Sequence, residues 1–156
     1  MDLHAAAEAE GVQREIGRLR AAGRLSAEQA AAVDTDMVLR FGRSALCGRM
    51  LAAETLRREF RFTLLVDPSA YFPVPPGESA LLQGVVDAYF LEDGAITIVD
   101  YKTDRVTAAQ AEERAAHYAV QLRTYADALS RIHGLPVREC LLYFLRPGVC
   151  VSVKLP

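Results

Sequence analysis

The chain has 156 residues, 51% hydrophobic and 24% charged, with a formal net charge of −2. That is enough chain for one domain with a buried core, and it carries no overall basic field of the kind that marks a general nucleic-acid binder. No apolar run approaches the ~20 residues of a membrane span, and the opening MDLHAAAEAEG lacks the basic and apolar regions of a secretory signal. The reading is a cytoplasmic protein with no membrane partner. Cys47, Cys140 and Cys150 follow no CxxC spacing, and an odd count in such a chain reads as reduced thiols serving as small buried hydrophobes.

Helices come first. Val12 to Ala22 has apolar positions at helical spacing, with Gly23 as a stop. Ser26 to Gln29, SAEQ, has the form of a capping box and opens an alanine-rich helix. Gly42 interrupts, and SALCGRMLAAE from Ser44 reads as another helix. Arg58 to Val66 alternates and then turns apolar, which predicts a strand. DPSAYFPVPPGES holds four prolines and reads as a loop. Two strands follow, Leu81 to Leu91 and Ala95 to Tyr101, then a long helical pattern from Thr107 to His133, broken near Ala116 and stopped by Gly134 and Pro136. Val137 to Arg146 and Val149 to Val153 read as a closing hairpin around Pro147-Gly148. The order predicts an α+β or α/β fold, a central mixed sheet flanked by helices. Residues 1–56 form its helical part and 57–156 its core.

Charge is uneven. Residues 14 to 61 hold ten arginines against six acids; residues 87 to 104 hold five acids against one lysine, Lys102. The chain has only two lysines, Lys102 and Lys154. A lysine where arginine is otherwise used points to a need for a compact ammonium.

Asp93-Gly94 is a strong signal for a two-residue type I′ hairpin. Counting back from it sets Glu92 opposite Ala95, Ala88 opposite Val99, and Asp87 opposite Asp100. Opposed residues share a sheet face about 4.5–5.5 Å apart, where two carboxylates repel unless a cation or a shared proton offsets them. Lys102 is two residues from Asp100 and points to the same side. Two aspartates there can hold a hard divalent ion such as Mg²⁺, and Lys102 can orient a water or stabilise phosphorane charge. Solvated strand-end aspartates are the plainer alternative. Gln121 and Tyr125 share one helix face, either as core and polar edge or as part of a site. His117 and His133 read as solvated, and Glu59 as an ion-pair partner for Arg57 or Arg61.

These residues resemble a known family. GVVDAYF with Asp87 and IVDYKTD with Asp100 and Lys102 look like motifs II and III of the PD-(D/E)XK nuclease superfamily, and QLRTY, Gln121 to Tyr125, looks like the QxxxY motif of its RecB-like branch. Further runs, RREFRF, LLQGVVD, HYAVQLRTYADAL and LLYF, stand in the order found in the nuclease domains of AddAB-type helicase–nucleases. The resemblance implies a restriction-endonuclease-like core and Mg²⁺-dependent cleavage of single-stranded DNA, with Mn²⁺ as a substitute ion, in the processing of broken ends for recombinational repair. It implies Asp87, Asp100 and the Tyr101 carbonyl as metal ligands and Lys102 as the catalytic lysine. It places Gln121 and Tyr125 beside the site and gives Glu59 a supporting role. Asp104 and Arg105, ending the third strand, become candidates for DNA contact. It further implies that the chain is a fragment of a longer helicase–nuclease with a partner subunit. One departure is expected to matter: the GTxxH pattern that supplies a histidine ligand in this branch is absent, and His4 lacks its preceding residues. No GxxxxGK[ST] loop is present either, so ATP hydrolysis is not expected of this chain. A non-catalytic docking or DNA-guiding module, and a related nuclease acting on RNA or branched DNA, remain the alternatives.

Overall fold

The computed structural model describes residues 2–70, 73–75 and 77–154. Five strands form one mixed sheet: β1 (Thr55–Val66), β2 (Ala80–Glu92), β3 (Ala95–Lys102), β4 (Val137–Phe144) and β5 (Val149–Ser152). They lie in chain order across the sheet; β3 and β4 are parallel and every other pair is antiparallel. The parallel pair needs a crossover. Helices α5 (Ala111–Ala116) and α6 (Ala119–His133) supply it, broken at His117 and Tyr118, one residue from the predicted break.

Before the sheet come α1 (Ala9–Ala21), α2 (Ala27–Ala31), α3 (Thr35–Gly42) and α4 (Ala45–Ala52). The SAEQ capping box forms, with Gln29 N–H donating to Ser26 Oγ (3.1 Å) and Ser26 N–H donating to Gln29 Oε1 (2.8 Å), although the helix it opens has only five residues. Asp34 and Ser44 cap α3 and α4 with their side-chain oxygens. Gly42 at the end of α3 leaves no room for a side chain, because the carbonyl of Ala6 lies against it. That close approach brings the N-terminal turn, residues 4 to 7, onto α3.

Alternation along the central strands divides the core. Ile96, Ile98, Cys140, Leu142 and Phe144 face α6, packing against Leu122, Ala126 and Leu129. Phe90, Val99, Leu141 and Tyr143 face α3 and α4, packing against Phe41, Leu46, Cys47 and Met50. Cys47 and Cys140 are buried as the sequence implies; Cys150 is exposed, because β5 is an edge strand with alternating exposure. Part of the proline-rich loop, Tyr71, Phe72 and Pro76, lies outside the described residues.

The β1–β2 ribbon changes sides partway along. Leu56 and Phe90 pack on the α3/α4 side, while Phe60, Phe62 and Val86 pack on the α6 side, although Leu56 and Phe60 have the same parity. The switch falls between the pairs Arg58–Ala88 and Phe60–Val86, at the register position of Glu59 and Asp87. Glu59 takes a left-handed φ of 52° there, which costs a non-glycine residue free energy and marks a bend in the strand.

Candidate active site

The Asp93-Gly94 turn has φ of 50° and 70°, the left-handed pair that a type I′ turn needs. Five of the six predicted register pairs form, from Glu92–Ala95 to Ala88–Val99. The sixth, Asp87 with Asp100, is not a ladder pair. At the bend β2 leaves β3, and the Tyr101 amide is left needing an acceptor. Asp87 provides it through its side chain: Tyr101 N–H donates to Asp87 Oδ2 at 2.9 Å. The charge of Asp87 nonetheless acts on Asp100.

Asp100 is 3% exposed. Its Oδ2 is ion-paired with Lys102 Nζ at 2.6 Å and has no other hydrogen-bond partner among the described residues. Burial pushes its carboxyl above the ordinary aspartate range; Lys102 opposes that and Asp87 adds to it. Lys102 Nζ donates to Gln121 Oε1 at 3.1 Å, and Gln121 Nε2 donates to Tyr125 Oη at 3.0 Å. Both partners come from α6, on the side of the sheet that β3 parity assigns to Asp100 and Lys102. Burial, with the nearby carboxylates, raises the Tyr125 phenol as well. The structure therefore brings together Asp87, Asp100, Lys102, Gln121 and Tyr125.

Tyr101 contributes its backbone on this row. Its ring points the other way, edge-on to Phe41 at 5.2 Å, with its hydroxyl 3.7 Å from Met50 Sδ. Glu59 stands next to Asp87 at the bend, exposed, and makes no ion pair among the described residues, because the left-handed backbone turns it out of the alternation that its neighbours follow. Asp104 is engaged: it accepts from Arg114 Nε at 2.6 Å and from Tyr118 Oη at 3.0 Å on both oxygens. Arg105 is exposed.

One neighbour escaped the sequence reading. The Tyr118 ring lies 3.9 Å from Lys102 Nζ, a cation–π contact, and its hydroxyl is held by Asp104. Arg114 and Tyr118 are four residues apart, so their common target could have been sought in sequence; the aim of the Tyr118 ring at Lys102, set by how α5 and α6 pack on the sheet, could not. His133, read as solvated, is exposed but its ring makes tilted contacts with Tyr89 and Phe60, 5.2 and 5.8 Å between ring centroids.

Two carboxylates, one of them buried against a single ammonium, fit a hard divalent cation that draws its remaining ligands from backbone oxygen, water and phosphate. Among the described residues no group of three or more His, Cys, Asp and Glu is placed to hold a metal. Beside Asp87 a cavity of about 400 Å³ opens toward α3, lined by Leu3, Met37, Phe41 and Tyr101 and bounded by Arg58 and Glu59.

A family model matches most of the chain. The description of that model is PD-(D/E)XK nuclease superfamily, and it covers residues 2–150. The chain belongs to the PD-(D/E)XK nuclease superfamily. Among curated proteins it is similar to an ATP-dependent helicase/nuclease subunit from Syntrophomonas wolfei, 35% identical over 145 residues, which are 92% of this chain and 12% of that protein. The protein of the same name from Geobacillus kaustophilus is 35% identical over 99% of this chain and 13% of its own length. The one from Carboxydothermus hydrogenoformans is 37% identical over 93% and 13%. This PD-(D/E)XK chain thus spans about one-eighth of the length of the curated relatives it matches, and is homologous to their nuclease region. No helix among its described residues is long and apolar enough to cross a membrane.

Proposed function

We propose that this chain is the metal-dependent deoxyribonuclease domain of a longer cytoplasmic helicase–nuclease, one domain with residues 1–56 as helical support and 57–156 as catalytic core. Its substrate is single-stranded DNA delivered by the rest of that chain and a partner subunit during the repair of broken ends. The observation that carries the reading is Asp100, buried and ion-paired with Lys102, beside a second carboxylate that makes its burial less favourable. Folding alone disfavours that arrangement; a bound cation offsets it.

Asp87, Asp100 and the Tyr101 carbonyl are the residues that would hold Mg²⁺ or Mn²⁺. The ion, when bound, supplies Lewis-acid polarisation of the phosphate and a lowered pKa for bound water. Lys102 faces the same space and can donate to the attacking water or to a phosphoryl oxygen as negative charge grows there. Gln121 and the Tyr118 ring hold the ammonium in place, and Tyr125 fixes the Gln121 amide. Pre-set donors of this kind need no reorganisation during reaction.

The test is cleavage of labelled single-stranded DNA with Mg²⁺ or Mn²⁺, by this chain and by a form extended at its N-terminus. Cleavage that Asp100→Ala and Lys102→Ala both abolish supports the reading; a form that cuts equally well after either substitution sinks it. A second reading, a guide or docking module without catalysis, is favoured by the absence of a third His, Cys, Asp or Glu ligand among the described residues. Divalent-ion binding that depends on Asp87 argues against it.

A further inference from the structure

Two oxygens and an aromatic ring hold the Lys102 ammonium. Its Nζ pairs with Asp100 Oδ2 at 2.6 Å, donates to Gln121 Oε1 at 3.1 Å, and lies 3.9 Å from the centroid of the Tyr118 ring. A second cation is close to that ring: Arg114 Cζ is 5.5 Å from its centroid. Two cations at one ring repel each other and compete for it. Asp104 settles the competition. It accepts from Arg114 Nε at 2.6 Å and from the Tyr118 hydroxyl at 3.0 Å on both oxygens. Its side chain is only 15% exposed. Burial raises its carboxyl, but Arg114 and Tyr118 outweigh burial and hold the group below the ordinary aspartate range.

The order of the elements lets one carboxylate do both. Asp104 stands in the connection that follows β3, two residues beyond Lys102. Arg114 lies in α5, and Tyr118 is the N-terminal cap of α6, one helical turn further on. Asp104 therefore ties the end of β3 to the joint between the two crossover helices. A phenol that donates to a carboxylate carries a more electron-rich ring, and such a ring holds a cation more firmly. A partly exposed aspartate–arginine pair adds little stability by itself. An anion with both oxygens engaged is also a poor contact for a phosphate, the role that its place in the motif suggests.

We infer that Asp104, with Arg114 as its counter-ion, is a positioning residue for the cleavage reaction: it fixes the Tyr118 ring and reserves it for Lys102, so that the ammonium stands in one place. The inference rests on the nuclease reading and adds to it a residue that does not touch the substrate. Without Asp104 the Tyr118 hydroxyl loses its acceptor, and Arg114 becomes an unpaired cation beside the same ring. In Tyr118→Phe, by contrast, the ring stays and Asp104 still pairs with Arg114.

Lysine itself reports on this. Lys102 and Lys154 are the only lysines in the chain, and Lys154 is exposed. Isotope labelling of lysine therefore gives two ε-methylene signals by NMR, assigned with Lys154→Arg. The Lys102 signal should lie upfield of the Lys154 signal, shifted by the Tyr118 ring current. In Asp104→Ala it should move toward the Lys154 position. In the same variant kcat for cleavage of single-stranded DNA with Mg²⁺ should fall about threefold to thirtyfold, with KM unchanged. Asp104→Asn keeps an oxygen for the Tyr118 hydroxyl and should fall between Asp104→Ala and the parent in both readouts. Arg138→Ala, which removes an arginine at the hairpin-turn end of the sheet, should change neither. An unmoved Lys102 signal in Asp104→Ala, with circular dichroism intact, overturns the inference. So does a raised KM at constant kcat, which would make Asp104 a DNA contact. If the signal moves as stated but no divalent ion produces cutting by the parent, the positioning network stands and the nuclease reading fails. If Asp100-dependent cutting occurs while Asp104→Ala leaves both signal and kcat as they were, the reverse holds.

Discussion

The two ends of β3 handle charge in opposite ways. At its start, beside the hairpin turn, Glu92, Asp93 and Glu139 meet Arg49 and Arg138. Arg49 donates to Glu92 and Glu139 at 2.9 Å each, and Arg138 to Glu92 at 2.8 Å and Asp93 at 3.2 Å. The arginine and glutamate side chains there are about 30–40% exposed, and Glu92 is held below its ordinary carboxyl range by Arg49. At the end of the same strand Lys102 pairs with Asp100 while the Asp87 carboxylate stands nearby on β2, Asp100 is nearly sealed from water, and its carboxyl is pushed up instead. Solvated, matched ion pairs at one end are what a sheet needs for solubility. A buried, mismatched cluster at the other end is what a site needs, and it lowers stability where it sits.

The sharpest way to break that comparison is to remove the mismatch. Asp100→Ala should abolish metal-dependent cleavage, by about a hundredfold or more, while the melting temperature stays near or above that of the parent. Loss of cleavage together with gross unfolding would make Asp100 a structural group like those at the turn. A pH titration sharpens the same contrast. Only the carboxylate form of Asp100 holds a cation, and its raised pKa lets protons compete at higher pH than at an ordinary aspartate. Divalent-ion affinity should therefore fall, as pH is lowered, before free aspartate begins to titrate. A raised folded-state pKa also means that Asp100 favours the fold below its unfolded pKa and ceases to do so as pH rises through the folded value. Asp100→Asn should remove that component from the pH dependence of stability.

Much of this was readable in advance because it is local. The Asp93-Gly94 turn determined the β2–β3 register by counting, and parity along β3 then placed Asp100 and Lys102 together. Helix spacing paired Gln121 with Tyr125. The capping box at Ser26 and the break near Ala116 are likewise written in a few consecutive residues. The side-switch at Glu59 and Asp87 was not legible, because Phe60 and Phe62 cross to the α6 side in response to packing partners far along the chain. For the same reason the bond from the Tyr101 amide to Asp87 could not be foreseen: it exists only where β2 has left β3. The start of β1 at Thr55 rather than Arg58 reflects pairing with Leu91, a tertiary contact no propensity reports.

Two smaller effects complete the comparison. Tyr118→Leu takes the ring from Lys102 and should slow cleavage about threefold to thirtyfold, with little change in DNA affinity; Tyr118→Phe keeps the ring and should recover most of the rate. Equal rates in all three would leave Tyr118 a packing residue only. At the turn end, Arg49→Ala should lower the melting temperature by about 2–4 °C and leave cleavage untouched; a change in cleavage would mean that the two ends are coupled.

The most direct measurement is a calorimetric titration of Mn²⁺ into the protein and into Asp87→Asn. The account predicts one saturable binding event in the parent and its loss in the variant, with both equally folded by circular dichroism. Matching isotherms in the two proteins, or no binding by the parent, would contradict it.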